Sequence, residues 1–379
     1  MAWVLAGEHN GCYTNGLMKN TDTINANTHG LNKTQPASQA KRIKLGIDVH
    51  ADSYRVVRQV DHATPQPAQK FTPEGFLLWA RKQLTQAGEV CSCYEAGPFG
   101  YSLHRALAAL GIRNHVIRPQ NWDELHKGVK TDKTDALALV LRLDRLLAGN
   151  TKALAVIRVP TEAEEQARSA SRQREQLRQH RQRLEAQGRS LLLYYGQRVK
   201  GRWWSGRNWP KVQPRLVPVL AELLATLREL ILAVEAKLQT ATACLEKAAA
   251  TQPRGFGALT SELVRREVGD WRRFNNRRQV ASLTGMCPGV RASGRQQQMG
   301  SITKHGNPRL RRALIELAWR VVRYQPDYPP VRRWRAALLG ESAAGRKKAI
   351  VAIGRKLAID QWRLATGRTT AQNLNLKMN

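Results

Sequence analysis

Alternation of apolar and polar residues begins near Arg42. Ile43, Leu45, Ile47 and Val49 share one face of a strand, a polar turn at Ala51 to Ser53 follows, and YRVVRQV reads as the returning strand of a hairpin. Next come a helical stretch over about 73–87 closed by Gly88, a strand in EVCSCYEAG, a helix from about Tyr101 to Leu110 ended by Gly111, and a strand in NHVIRP. A further helix is expected from near Asp132 to about Leu147. Strands alternating with helices of this length predict an α/β sheet covered by helices. From about 161 to 249 the period becomes helical throughout. EEQARSASRQREQLRQHRQRLEAQGRSLLL is dominated by charge, whereas VPVLAELLATLRELILAVEAKLQTATACLEKAA carries apolar residues at helical spacing. The Trp-, Gly- and Arg-rich VKGRWWSGRNWPKV joins the two, which predicts an antiparallel hairpin, an intermolecular coiled coil, or a helical spacer between domains.

Farther on, PRGFGALTSELVRREVG suggests a helix-hairpin-helix element in which a turn at Gly255 and Gly257 opens a helix whose amides can hold a phosphate. The segment GMCPGVRASGRQQQMGSITKHG, punctuated by Pro288, Gly289, Gly294, Gly300 and Gly306, is expected to be a loop. In what reads as the final helix, Leu310, Leu314, Leu317 and Val321 form an apolar stripe, with Arg309, Arg312, Arg320 and Arg323 off it. Residues 1–40, rich in Asn, Thr, Gly and Gln without periodicity, are expected to form a disordered tail, or an over-long start with Met18 as another candidate initiator. The expected organisation is therefore a tail (1–40), an α/β domain (41–150), a helical spacer (151–250) and a mainly helical carboxy-terminal domain (251–379).

Charge adds a partner to this picture. The chain of 379 residues carries 62 Lys and Arg against 29 Asp and Glu, a formal +33, and from Arg254 onward the count is 26 against 7. Such an excess points to a polyanion, with nucleic acid as the default, because Lys and Arg near phosphates gain affinity by releasing condensed counterions. Arg291, Arg295, Lys304, Arg309 and Arg312, with Gly255 and Gly257, are the candidate nucleic-acid contacts. A membrane partner is not expected, since the longest apolar stretch is broken by Glu222, Arg228, Glu229 and Glu235. The five cysteines have no metal-type spacing and read as reduced thiols, and the amino terminus lacks a secretory pattern, so a cytoplasmic protein is expected.

Against this basic background, four acids occupy positions that need a reason. Asp48 and Glu95 end two strands, and Asp132 and Asp135 stand three apart at a helix start, on one face. Carboxylates brought together in this way repel unless a cation is shared, and hard oxygen donors suit Mg²⁺ or Mn²⁺. Two such ions would serve phosphoryl transfer. Ser293, between Arg291 and Arg295 and followed by Gly294, is a hydroxyl in a basic segment that could act as a nucleophile; Ser301 competes on chemistry alone.

Taken together, CYEAGPFGYSLHR, VKTDKTDA and the GMCPGVRASG stretch resemble the insertion sequence 110 family of transposases, and most of all its insertion sequence 1111 subgroup, from about residue 42 to the end. The resemblance implies an RNase H-like (RuvC-like) domain whose DEDD set is Asp48, Glu95, Asp132 and Asp135, a coiled-coil spacer, and a carboxy-terminal transposase domain in which Ser293, not Ser301, is the covalent nucleophile on DNA. It also implies a structured guide RNA from the same element, a homo-oligomer (dimer or tetramer) acting on element ends and target DNA, and a place in the bacterial cytoplasm at the nucleoid. Met286-Cys287 departs from the Leu-Thr usual there, and residues 1–40 have no counterpart. A junction-resolving nuclease without a serine nucleophile and a non-catalytic nucleic-acid binder are the competing readings.

Overall fold

The computed structural model describes residues 40–119, 132–248, 252–293 and 296–378, with the backbone alone at 132–133, 292–293 and 296–297. The expected tail, Cys12 and Arg295 lie outside the described residues. The chain divides into two compact units that meet at Val159 and Pro160, so the long helices and the basic carboxy-terminal segment fall in one unit.

In the first unit, β1 (Ala40–Val49), β2 (Tyr54–Val60), β3 (Gln69–Phe71), β4 (Ala87–Glu95) and β5 (Arg113–Ile117) form one sheet in the order β3-β2-β1-β4-β5. The β1-β2 and β2-β3 pairs are antiparallel, while β1-β4 and β4-β5 are parallel. Helices α1 (Pro73–Gln83), α2 (Ser102–Ala109) and α3 (Asp132–Leu147) complete the unit. On one face of the sheet, Ile43, Leu45 and Ile47 bury against Phe76, Ala80, Leu103 and Leu107 from α1 and α2. The expected α1 is shorter than its pattern suggested. Its last turn closes at Leu84, and Ala87 and Gly88 belong to β4, where Ala87 pairs with Ala40 and Gly88 lies against the Lys41 carbonyl. Strand pairing outcompetes one further helical turn.

The other face of β1 is covered by α3. Ala136, Leu139, Val140 and Leu143 recur at helical spacing and are all buried. A Cβ on Gly46 would overlap the Ala136 carbonyl oxygen and lie 2.6 Å from the Val140 amide nitrogen, so glycine sets the approach of helix to strand. The Cys93 thiol donates to the Leu139 carbonyl at 3.4 Å, and burial pushes the Cys91 thiol up to about 12, so both cysteines are protonated packing groups. Lys44, which sequence alternation places on a polar face, is buried, with its ammonium paired to Asp144 of α3 and donating to the Asp61 carbonyl.

In the second unit α4 (Glu162–Tyr194) starts with a capping box between Thr161 and Glu164. After the short α5 (Trp209–Val212), α6 (Pro218–Lys247) returns antiparallel to α4, as the Arg174–Thr242 and Arg181–Glu235 pairs require. Of the three arrangements the sequence allowed, an intrachain hairpin is found. Trp203 explains the aromatic connection: it is fully buried, its indole N–H donates to the Glu185 carbonyl at 2.9 Å, and its ring fills the space a side chain at Gly188 would need. Helix α6 turns Leu220, Leu224, Leu227 and Ile231 inward and leaves Val219, Leu223 and Leu230 exposed.

The remainder comprises α7 (Ala258–Val268), α8 (Arg277–Thr284), β6 (Pro288–Ser293), β7 (Gln296–Ile302), α9 (Pro308–Tyr324), α10 (Pro329–Arg333), α11 (Arg335–Leu339) and α12 (Ala343–Ala365). Helix α9 buries the expected stripe, but it is not the last long helix: α12 packs on it through Ile350, Ile353 and Leu357. The segment expected to be a loop is an antiparallel β6-β7 hairpin. Proline is tolerated as the first residue of a strand, and the irregularity between Pro288 and Val290 absorbs Gly289, so these residues mark a strand start and a bulge. Glu175 links α4 to α9 through Arg312, while Arg178 of its own helix holds the carboxylate from the other side.

Two outcomes follow. Gly46→Ala should destabilise the chain by about 1 to 3 kcal/mol through overpacking against the α3 backbone, read by urea unfolding. Unchanged stability would mean that α3 does not sit on β1 this closely. The hydrogen bond from Arg178, aided by Gln179 and Arg312, holds the Glu175 carboxyl down to about 2 from an ordinary 4.5 despite partial burial. Its folded pKa is the lower one, so its contribution is present above about 4.5 and lost as pH falls towards 2. Glu175→Gln should flatten that part of the melting temperature's pH dependence.

Candidate functional site

The parallel register of β1 and β4 runs to Ile47 beside Tyr94, so the next residues, Asp48 and Glu95, emerge side by side at the carboxyl ends of the two strands. Both share the parity of Gly46 and Cys93, the face that α3 covers. The first turns of α3 bring Asp135 there, one residue before the Ala136 that rests on Gly46. Asp48, Glu95 and Asp135 line one cleft of about 150 Å³, walled by Ile47, Leu139 and the Gly97-Pro98-Phe99 turn. The sequence thus placed all four acids at strand end, strand end and helix start, and three of them line the cleft. Asp132 begins α3, and its side chain lies outside those described.

The donor set in the cleft is carboxylate oxygen, which suits a hard divalent cation. Among the described residues, no three His, Cys, Asp or Glu side chains already stand close enough to hold an ion by themselves. Asp48 accepts from or pairs with His50, Nε2 to Oδ2 3.0 Å, and that bond orients one carboxylate oxygen. Sequence reasoning passed over His50, although the Asp-Val-His run of a strand end, with two residues on the same side, was the available signal. It also passed over Lys44 and Gly46, which act on the site indirectly by seating α3.

Ser293 occupies the second unit, at the turn end of the β6-β7 hairpin, where it pairs with Gln296; its side chain lies outside those described. Arg291 is exposed on the same strand, opposite Gln298. Ser301, the competing hydroxyl, lies at the far end of β7, near the hairpin's base.

The remaining predicted contacts divide by environment. Lys304 and Arg309 are exposed, Lys304 with a left-handed φ of 58° that lets its amide reach the Gly285 carbonyl. Arg312 is paired with Glu175. Gly255 and Gly257, with φ of 87° and 71°, form the turn into α7, but side chains there would collide with Tyr324 and Arg320 of α9. Their positive φ and, at Gly255, the Tyr324 ring call for glycine here, and Arg320 brings a guanidinium to that helix start.

Among the described residues, no helix is long and apolar enough to cross a membrane. The profile described as the transposase IS116/IS110/IS902 family matches residues 248–330, from the end of α6 through the serine hairpin to α10. Two candidate transposases of Sinorhizobium fredii, y4qE and y4rJ, are similar to this chain at 32% and 30% identity, over 76% and 75% of it and 78% of each relative. The transposase for insertion sequence element IS1111A of Coxiella burnetii is similar at 26% identity, over 74% of this chain and 79% of its own. With alignments that span both units at this identity, the chain belongs to the IS116/IS110/IS902 family of transposases.

Proposed function

We propose that this transposase cuts and rejoins DNA with a metal-dependent acidic site in its first unit and a serine nucleophile in its second. The observation that carries the reading is the convergence of Asp48, Glu95 and Asp135 on one cleft. The strand order, three antiparallel strands continued by two parallel ones, supports an RNase H-like (RuvC-like) domain. Asp132, one helical turn before Asp135, completes the DEDD set that would hold Mg²⁺ or Mn²⁺. A bound divalent cation supplies charge neutralisation for the carboxylates and for the phosphate under attack.

The position of Ser293 at the end of β6, paired with Gln296 and two residues from the exposed Arg291, supports its role. Its oxygen attacks a phosphorus of the DNA backbone, the bond to one sugar oxygen breaks, and that oxygen leaves with a proton. The product is a serine phosphodiester. A sugar hydroxyl of a second strand then attacks the same phosphorus, the serine oxygen leaves and is reprotonated, and the number of phosphodiester bonds is conserved. Arg291 and Arg295 would neutralise the charge that builds on the phosphate. Placement within the IS1111 subgroup, a guide RNA from the element, and action at the bacterial nucleoid complete the proposal. The exposed Val219, Leu223 and Leu230 of α6 support assembly as a homodimer or tetramer.

Three experiments test these points. Asp48→Asn and Asp135→Asn should each lower Mn²⁺ affinity in calorimetry and cut strand transfer by about 100-fold or more, the scale of losing one preorganised electrostatic contact. Near-normal recombination in either variant would remove the acids from the chemistry. Ser293→Ala should abolish the covalent protein–DNA adduct, mapped by mass spectrometry on a nicked substrate, while Ser301→Ala retains it. Recombination without any adduct would favour direct hydrolysis at the acidic site. Finally, Leu223→Glu with Leu230→Glu should shift the chain to monomer in light scattering; an unchanged oligomer would place the interface elsewhere.

A further inference from the structure

Two adjoining hollows in the second unit share Arg277, Lys356 and Ile359 and so form one continuous groove. The larger part encloses about 650 Å³ and the smaller about 420 Å³. Three elements supply its walls: the start of α8, the end of α10 with Arg333, and one face of α12 on which Arg355, Lys356, Ile359 and Arg363 recur at helical spacing. None of the nucleic-acid contacts expected from the sequence lies in it.

The charge of this groove is unbalanced. Neither hollow has an acidic residue in its lining. Asp360 of α12 is buried and accepts from Tyr328, Lys356 and Arg363, so those two cations of the wall are already paired and the other arginines carry the excess. Among the described residues, Arg277, Arg278, Arg333 and Arg355 form no ion pair. Arg277 and Arg278 moreover stand in the first turn of α8, where the positive end of the helix dipole repels cations. Trp362 lines the groove as an apolar wall, 5% exposed.

Oxygens of a phosphate backbone would answer both features, the lining without acids and the guanidiniums without ion pairs, since each is an anionic acceptor. We propose that this groove holds the backbone of duplex DNA, an inference that rests on the DNA-processing reading above. Single strands are gripped by open aromatic faces on which bases stack. Here Trp334 is half-buried and the Trp362 ring is covered by the Arg368 guanidinium at 4.2 Å, so the groove grips charge and not bases.

The test uses the full chain and a labelled duplex oligonucleotide titrated across a salt series. Arg277 and Arg333 are exposed, so Arg277→Ser with Arg333→Ser should leave the melting temperature unchanged. The slope of log affinity on log salt should become shallower by about 1.8, two phosphate contacts at about 0.9 each. In the unsubstituted chain, duplex DNA should protect Lys356 from acetylation. Duplex binding with an unchanged slope, or an unprotected Lys356, would overturn the groove alone. A slope change confined to an RNA of the same length would overturn DNA as its occupant. Failure of the unsubstituted chain to bind any duplex would overturn the DNA-processing reading, and the groove with it.

Discussion

The close approach of α3 to β1 is the constraint on which the acidic site depends. A sheet and a helix usually pack about a helix radius plus side chains apart, yet Gly46 removes the side chain that would hold them at that distance. The Cys93 thiol bond to the Leu139 carbonyl and the Lys44–Asp144 pair fasten the helix farther along. Burial raises the pKa of Asp144, but Lys44 and His62 more than offset this and hold it below its ordinary value, so the buried ammonium keeps an ionised partner. A buried lysine without that carboxylate would be expensive. The position of Asp135 relative to Asp48 and Glu95 is therefore set by apolar packing and one buried ion pair, and the acids themselves need make no contribution to folding.

From Arg254 onward, three of the seven acids are spent inside the fold. Glu262 pairs with Arg265 and Arg266, Glu267 accepts from Arg172 and Asn307, and Asp360 joins Tyr328, Lys356 and Arg363. Each ties elements together or satisfies a buried oxygen. The consequence is a surface on which the remaining arginines have few carboxylates to meet, and the high formal charge of the sequence becomes a high available charge for phosphates.

Packing also reassigns residues whose identity suggested something else. Gly255 and Gly257 admit Tyr324 and Arg320, Gly188 admits the ring of Trp203, and the proline and glycine at 288–289 open a bulged strand. A glycine in sequence states only that a side chain is absent. Whether the space goes to a phosphate, a turn or an indole depends on the element that arrives from elsewhere in the chain.

The amino-acid sequence by itself determined the strand hairpin at the start, the bounds of α3, the two long helices, the stripe on α9, and the strand-end and helix-start positions of Asp48, Glu95, Asp132 and Asp135. These follow from periodicity and capping, which act between residues a few positions apart. Tertiary structure alone decided that α6 folds back on α4 in the same chain, that both faces of β1 are covered, that Lys44 is buried, that Arg312 is tied to Glu175, and that cations from α8, α10 and α12 face one groove. Each of those outcomes joins residues far apart in the chain. Local pattern carries no record of such pairings, because their energy arises only when distant surfaces lose water against each other.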